Sequence, residues 1–192
     1  MQGFFDMRRR DFIYTLGLLG IFPAAWVVLR AGRAEGTPPE IAAIQKRWPD
    51  LLADNAQVAD DLKALVKTKA AWREELPLES YEVLFEEDTE PPLSSHLNLE
   101  KRAGVFVCRA CRLPLFTSEM KYESGTGWPS FFTNIPGHCA TKTDLKILIP
   151  RTEYHCVKCG GHQGHLFDDG PAPSGERWCN NGVALNFIPL KV

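Results

Sequence analysis

The sequence predicts an α+β protein, a mostly antiparallel β domain preceded by helices. Three observations carry this. Between Ile41 and Glu87 apolar residues recur at helical spacing with charges between them. From Gly104 onward short apolar or β-branched runs alternate with turn residues. Two C-x-x-C pairs each close one of those runs. The 192-residue chain is long enough for one domain with extra segments, and its net charge of −2 gives no electrostatic reason to expect nucleic acid as a partner.

Residues 1–40 stand apart as an export signal or membrane anchor plus linker. Arg8, Arg9 and Arg10 precede a charge-free apolar run from Phe12 to Leu29, and Gly32 and Ala34 suit a cleavage site. The string Arg9-Arg10-Asp11-Phe12-Ile13 resembles the twin-arginine signal, which predicts a periplasmic protein exported after folding and after any metal has been loaded. The alternative is an uncleaved anchor in the inner membrane. The run just reaches the roughly 17–25 apolar residues that a bilayer requires, although Pro23 interrupts it.

Residues 41–68 are predicted as a helical extension. Ile44, Leu51, Leu52, Val58, Leu62, Leu65 and Val66 fall roughly on one face, with a break at Trp48-Pro49-Asp50. Residues 69–192 form the domain proper. Its helical texture continues through Trp72–Leu76 and "PLESYEVLFEE", the latter capped by Ser80. The loop "DTEPPLSS" follows, then strands at "GVFVC", "KILIPRTEYHC", "RWC" and "VALNFIPL".

Cys108 and Cys111 form one C-x-x-C pair, Cys156 and Cys159 the other. Two such turns complete a tetrahedral shell of four thiolates, which suits one structural Zn²⁺ or iron ion. Two disulfides or a thioredoxin-like redox pair are the competing readings. Cys139 and Cys179 remain. Cys179 stands in "GERWCNNGV", and if "RWC" is a strand, Arg177 and Cys179 share a face, Asn181 joins them, and Trp178 points away. An arginine beside a cysteine favours its thiolate. Upstream, His162 and His165 occupy a Gly-containing loop with Asp168 and Asp169, and Trp128 sits in "SGTGWPSFF" as either core or an apolar wall for a substrate.

The blocks "SGTGWPSF", "RTE", "CGGHQGHLFDDGP" and "GERWC", with the C-x-x-C pairs and "AAWREELPLESYEVLFEEDTEPP" before them, resemble the B-type peptide-methionine (R)-S-oxide reductases from about Lys69 to Leu190. The resemblance implies two antiparallel sheets leaning together with N-terminal helices, and one structural zinc ion on Cys108, Cys111, Cys156 and Cys159. It implies that Cys179 attacks the sulfoxide and becomes a sulfenic acid. Trp128 would pack on the substrate methyl group, and His162, His165, Arg177, Asn181 and Asp169 would surround the oxygen. The implied partners are oxidised methionine in proteins or peptides and a thioredoxin-like or other thiol reductant. Cys139, read as lying in a mobile loop, is the candidate resolving cysteine; the alternative is direct reduction of the sulfenic acid by an external thiol. Three departures from the family pattern stand out. Asn180 and Gly182 replace the Ile and Ser of a common "CINS", Gln163 stands where an aliphatic is usual, and Thr126 occupies a place where some members carry a resolving cysteine. A zinc-site binding module and a cysteine hydrolase using His165 are the other readings.

Overall fold

The computed structural model describes residues 37–146 and 150–190. The predicted signal or anchor of residues 1–40 lies almost wholly outside them, and no described helix is long and apolar enough to cross a membrane. Three helices, α1 (Pro39–Lys46), α2 (Lys69–Glu75) and α3 (Leu78–Glu86), precede nine strands. β1 (Gly104–Cys108) lies between β2 (Pro114–Thr117) and β9 (Leu185–Pro189) in a three-stranded sheet. The second sheet runs β3 (Lys121–Tyr122), β4 (Ser130–Phe131), β8 (Arg177–Asn180), β7 (His162–Phe167), β6 (Arg151–Cys156) and β5 (Cys139–Asp144). Every described pairing is antiparallel. This is the two-sheet, mostly β architecture that the sequence and its resemblance predict.

The sheets close on an aromatic layer. Phe106 and Phe116, opposite one another on β1 and β2, meet Phe131, Tyr154 and Trp178 from the second sheet. Phe116 stacks on Phe131 at 4.1 Å between centroids, and Tyr154 meets Trp178 edge-on at 4.9 Å. All five rings are buried. Burial of one strand face, period two, therefore fixes the register and sends the other face of the large sheet outward.

Three expectations change. Residues 53–68 are not helical; they run as an extended strap, because Leu62, Leu65 and Val66 find no core and stay 47%, 42% and 95% exposed. Ser80 lies buried inside α3 rather than capping it, and the residue before that helix is Pro77, which makes no side-chain cap. The cap that does form is Thr68, whose hydroxyl accepts from the Ala71 amide at the start of α2. Finally, His162, His165 and Cys139 lie on strands, not loops.

β7 and β8 approach unusually closely at Gly164, where a Cβ would sit 1.9 Å from the Cys179 carbonyl oxygen. Gly164→Ala is therefore expected to push the two strands apart. Denaturant titration should show a loss of about 1–3 kcal/mol, the usual cost of overpacking, and activity should fall with it.

Candidate active site

The outward face of the large sheet carries the chemistry. Strand alternation puts Arg177 and Cys179 on it, and the β7–β8 register sets His165 directly opposite Cys179 and Phe167 opposite Arg177. His162 should face the other way, three residues from His165. A bulge in the β6–β7 pairing shifts it to stand opposite His155, so both histidines face outward with ring centroids 5.5 Å apart. Trp178 points into the core, as alternation predicts.

A cleft of about 180 Å³ opens over this face, lined by Trp128, His165, Phe167, Cys179, Asn181 and Arg151 among others. Trp128 stands in a loop whose Gly127 (φ 96°) packs so closely on Pro92 that a Cβ would come within 2.8 Å of it. The indole Nε1 donates to the Glu90 carbonyl at 3.0 Å. The Glu90 backbone amide donates in turn to Asn181 Oδ1 at 3.1 Å, and the Glu90 carboxylate accepts from the Gly182 and Val183 amides. Asn181 is therefore a brace between Glu90 and the Gln163 carbonyl, to which its Nδ2 donates at 3.1 Å, while it also lines the cleft.

Cys179 is half-buried, and burial raises its thiol above the ordinary range; the nearby Arg177 charge and hydrogen bonds from Thr126 and Arg177 oppose that rise without cancelling it. The expectation of a thiol lowered by Arg177 thus holds for the direction of the arginine's effect, not for the net shift. Arg177 is itself gripped by Asp169, Nε to Oδ1 at 2.7 Å and Nη2 to Oδ2 at 2.9 Å, and lies 4.1 Å above the Phe167 ring. Asp169 is exposed and reaches the site through Arg177; Asp168 is exposed and makes no described side-chain bond.

Each histidine is held by a carboxylate that sequence reading did not single out. Glu153 lies 2.8 Å from His162 Nδ1, and Asp144 lies 2.8 Å from His165 Nε2 and 2.6 Å from Arg151 Nη2. The Lys146 amide, His165 and Arg151 together hold the Asp144 carboxyl well below the usual carboxylate range. His162 Nε2 is buried without a partner among the described residues. Alternation in "RTE" places Arg151 and Glu153 on one face, which was the available signal; that the face meets the histidines depends on register.

Cys139 does not join the site. It lies on β5 opposite Cys156, three strands from β8. Three strand spacings of roughly 4.8 Å put it about 14 Å or more from Cys179, beyond the roughly 7 Å between Cα atoms that a disulfide allows. Burial raises its thiol well above the ordinary range.

The four paired cysteines do come together. Cys108 ends β1 and Cys156 ends β6, none of the four is in a disulfide, and their sulfurs all lie within 4.8 Å of one another. Cys108–Cys159 and Cys111–Cys156 stand at 3.6 and 3.5 Å. Four sulfurs about 2.3 Å from a tetrahedral ion lie roughly 3.8 Å apart, so the arrangement fits a metal ion, whereas disulfide sulfurs stand about 2.05 Å apart. Hydrogen bonds among the four thiols pull Cys156 down and drive Cys108 up. Four thiols this close ionise together only around a cation.

The SelR domain matches residues 76–189. The chain belongs to the SelR family. Its sequence is 46% identical to the "Peptide methionine sulfoxide reductase MsrB" of Methanosarcina barkeri over 126 residues, 65% of this chain and 89% of that protein. It is 45% identical to the protein of that name from Hahella chejuensis over 122 residues (63% and 88%), and 39% identical to the chloroplastic B1 enzyme of Arabidopsis thaliana over 139 residues (72% and 69%). Asn180, Gln163 and Gly182, three of the residues noted above as departures, are internally matched here. The Tyr154 hydroxyl donates to Asn180 Oδ1 at 2.7 Å, Asn180 Nδ2 donates to Gln163 Oε1 at 3.5 Å, and Gln163 Nε2 donates to Cys108 Sγ at 3.5 Å. A Cβ at Gly182 would sit 1.9 Å from Ser95 Oγ, so the Ser95 side chain occupies the space.

Two outcomes follow from this geometry. Cys108→Ser should abolish stoichiometric metal binding in a colorimetric chelator assay and lower the thermal midpoint by about 10 °C or more. Burial, opposed by the Glu153 hydrogen bond, lowers the His162 pKa from its ordinary 6.5. Unfolded chains then bind a proton that folded chains refuse, so stability should fall as pH drops below that value until the folded pKa is reached. His162→Asn should flatten the pH dependence of unfolding free energy just below pH 6.5.

Proposed function

We propose that this protein reduces peptide-bound methionine (R)-S-oxide to methionine, repairing oxidised proteins, with Cys179 as nucleophile and a sulfenic acid as intermediate. The observation that carries the reading is the direct opposition of Cys179 and His165 on neighbouring strands at the floor of a cleft walled by Trp128 and Phe167. The sulfoxide has an apolar methyl group and a basic oxygen. The two aromatic faces suit the methyl group, and the histidines stand on the polar side.

Cys179 attacks the sulfoxide sulfur as its S–H proton leaves. The oxygen takes a proton, passes to the cysteine sulfur, and the thioether departs, so Cys179–SH and sulfoxide become Cys179–SOH and methionine. His165 lines the cleft and is the nearer acid; Asp144 keeps its ring oriented. The unpartnered His162 Nε2 is the second ring nitrogen available to the oxygen or to a water. Arg177, fixed by Asp169, favours the anionic sulfur. Two external thiols then return Cys179–SOH to the thiol with release of water and formation of their own disulfide. A thioredoxin-like protein or a small thiol supplies them, since Cys139 is out of reach.

The four-cysteine site holds one zinc ion that is structural: all four positions are protein ligands, leaving none for substrate. It supplies no step of the reaction. The basic cluster and apolar run of residues 1–40 support export to the periplasm, with an inner-membrane anchor as the other outcome. Cell fractionation and N-terminal sequencing of the mature chain separate the two.

The test is thiol-dependent turnover of the separated R and S epimers of an N-blocked methionine sulfoxide. The R epimer alone should react. Cys179→Ser should lose all turnover, and the wild type without reductant should yield a dimedone-reactive sulfenic acid. Cys139→Ser should keep near-wild-type turnover, and Trp128→Ala should lower kcat/KM about tenfold or more, chiefly through KM. Turnover retained in Cys179→Ser would remove this reading.

A further inference from the structure

The strap of residues 53–68 lies outside the SelR match, yet it touches both halves of the metal centre. The Ala59 amide donates to the carbonyl of Arg112, the residue after Cys111, at 3.1 Å, and Arg112 Nε donates back to the Gln57 carbonyl at 2.5 Å. Six residues on, the Leu65 amide donates to the carbonyl of Lys158 at 2.6 Å. Lys158, between Cys156 and Cys159, reaches back to Asp61 Oδ1 at 2.5 Å and to the Lys63 carbonyl at 3.4 Å. One knuckle is thus bonded to Gln57–Ala59, the other to Asp61–Leu65.

The strap is fixed at both ends. Ahead of it, Ile41 of α1 is buried and Trp48 meets the His138 ring edge-on at 5.9 Å. Behind it, Thr68 caps α2 and Trp72 is buried beneath that helix. A short segment held at both ends and bonded in the middle loses little further entropy in making those bonds. Its exposed leucines and valine show that it is not there to fill a core.

We propose that residues 53–68 are a clasp that holds the two C-x-x-C knuckles together over their ion and slows its loss. The clasp rests on the zinc occupancy proposed above. An ion leaves a four-thiolate site when one pair of sulfurs swings away, and the knuckles belong to different sheets, so separation of the knuckles is the motion that frees it. The strap bonds to the backbone carbonyl of each knuckle and opposes that motion directly. The sulfurs of Cys111 and Cys159 belong to half-buried residues, so a competing ligand reaches them more readily once the strap has lifted.

The experiment compares the zinc-loaded full chain with Ala59→Pro/Leu65→Pro, with Asp61→Ala, and with the triple variant. Proline removes the donating amides, and every change lies on the strap, so both knuckles stay intact. The readouts are zinc content as isolated, the rate of zinc transfer to excess 4-(2-pyridylazo)resorcinol, and sulfoxide turnover. Wild type should hold one zinc, and transfer should accelerate in graded fashion, about tenfold or more in the triple variant from loss of two backbone bonds and one ion pair. Turnover at saturating zinc should stay at the wild-type level. Transfer at the wild-type rate in the triple variant overturns the clasp while leaving the zinc reading intact. Faster transfer together with lost turnover traces release to general unfolding and also overturns it. A wild type without zinc overturns both.

Discussion

Two sheets that share no strand meet at four sulfur atoms. Cys108 and Cys111 hang from the end of β1, Cys156 and Cys159 from the end of β6, and the four sulfurs fall within one coordination sphere. Closing the chain over the stretch between Cys111 and Cys156 costs entropy, which a single metal ion bound to all four thiolates, as proposed, would offset. The consequence is geometric as much as energetic. With β1 and β6 tied at one end, the Phe116–Phe131 stack and the Tyr154–Trp178 contact can close between the sheets. The inward face of β6, β7 and β8 is then fixed. So is the outward face, on which Cys179, Arg177, His165 and Glu153 stand in register.

What the sequence could reveal depended on range. A C-x-x-C pair is local, and so is the alternation in "RWC"; both were legible and both hold. The partners of the histidines were not, because Asp144 and Glu153 reach them only through pairings of β5, β6 and β7 that no local pattern specifies. The bulge that brings His162 to the active face is likewise a property of two strands together. Glu90 was hidden in a proline-flanked loop, although it is buried and holds Trp128, Asn181 and the turn after Cys179 in place. The strap misled for a different reason. Apolar residues at helical spacing predict a helix only if a core receives them, and here the backbone donors of Ala59 and Leu65 serve the knuckles instead of an α-helical ladder.

The positions that depart from the resemblance raised doubt about the surroundings of Cys179, the proposed nucleophile. Their placement answers it. Asn180 and Gln163 are both fully buried, and an unmatched amide there would be costly. They meet each other, with Tyr154 at one end and Cys108 at the other, so the two polar residues answer one another. Gly182 gives up a hydroxyl where Ser95 brings one in. Gln163 sits on β7, Asn180 on β8 and Gly182 in the turn after β8, each with its side chain or its space matched by a buried neighbour, while Cys179 opens onto the cleft.

The raised thiol of Cys179 bears on how the proposed reaction begins. A thiolate standing permanently in a cleft invites oxidation by the same agents that oxidise methionine. Burial raises this thiol above its ordinary range, while Arg177 and Thr126 oppose the rise. The thiol proton and the proton that the sulfoxide oxygen needs can then be one and the same. In the proposed reaction the proton would leave Cys179 as the oxygen gains one, with His165 opposite the sulfur to carry it. Charge would then separate only with substrate in the cleft, and the Arg177–Asp169 pair, neutral overall, would not have to reorganise. On this account the arginine's task is to make a buried thiolate accessible for the length of the attack, not to maintain one between turnovers.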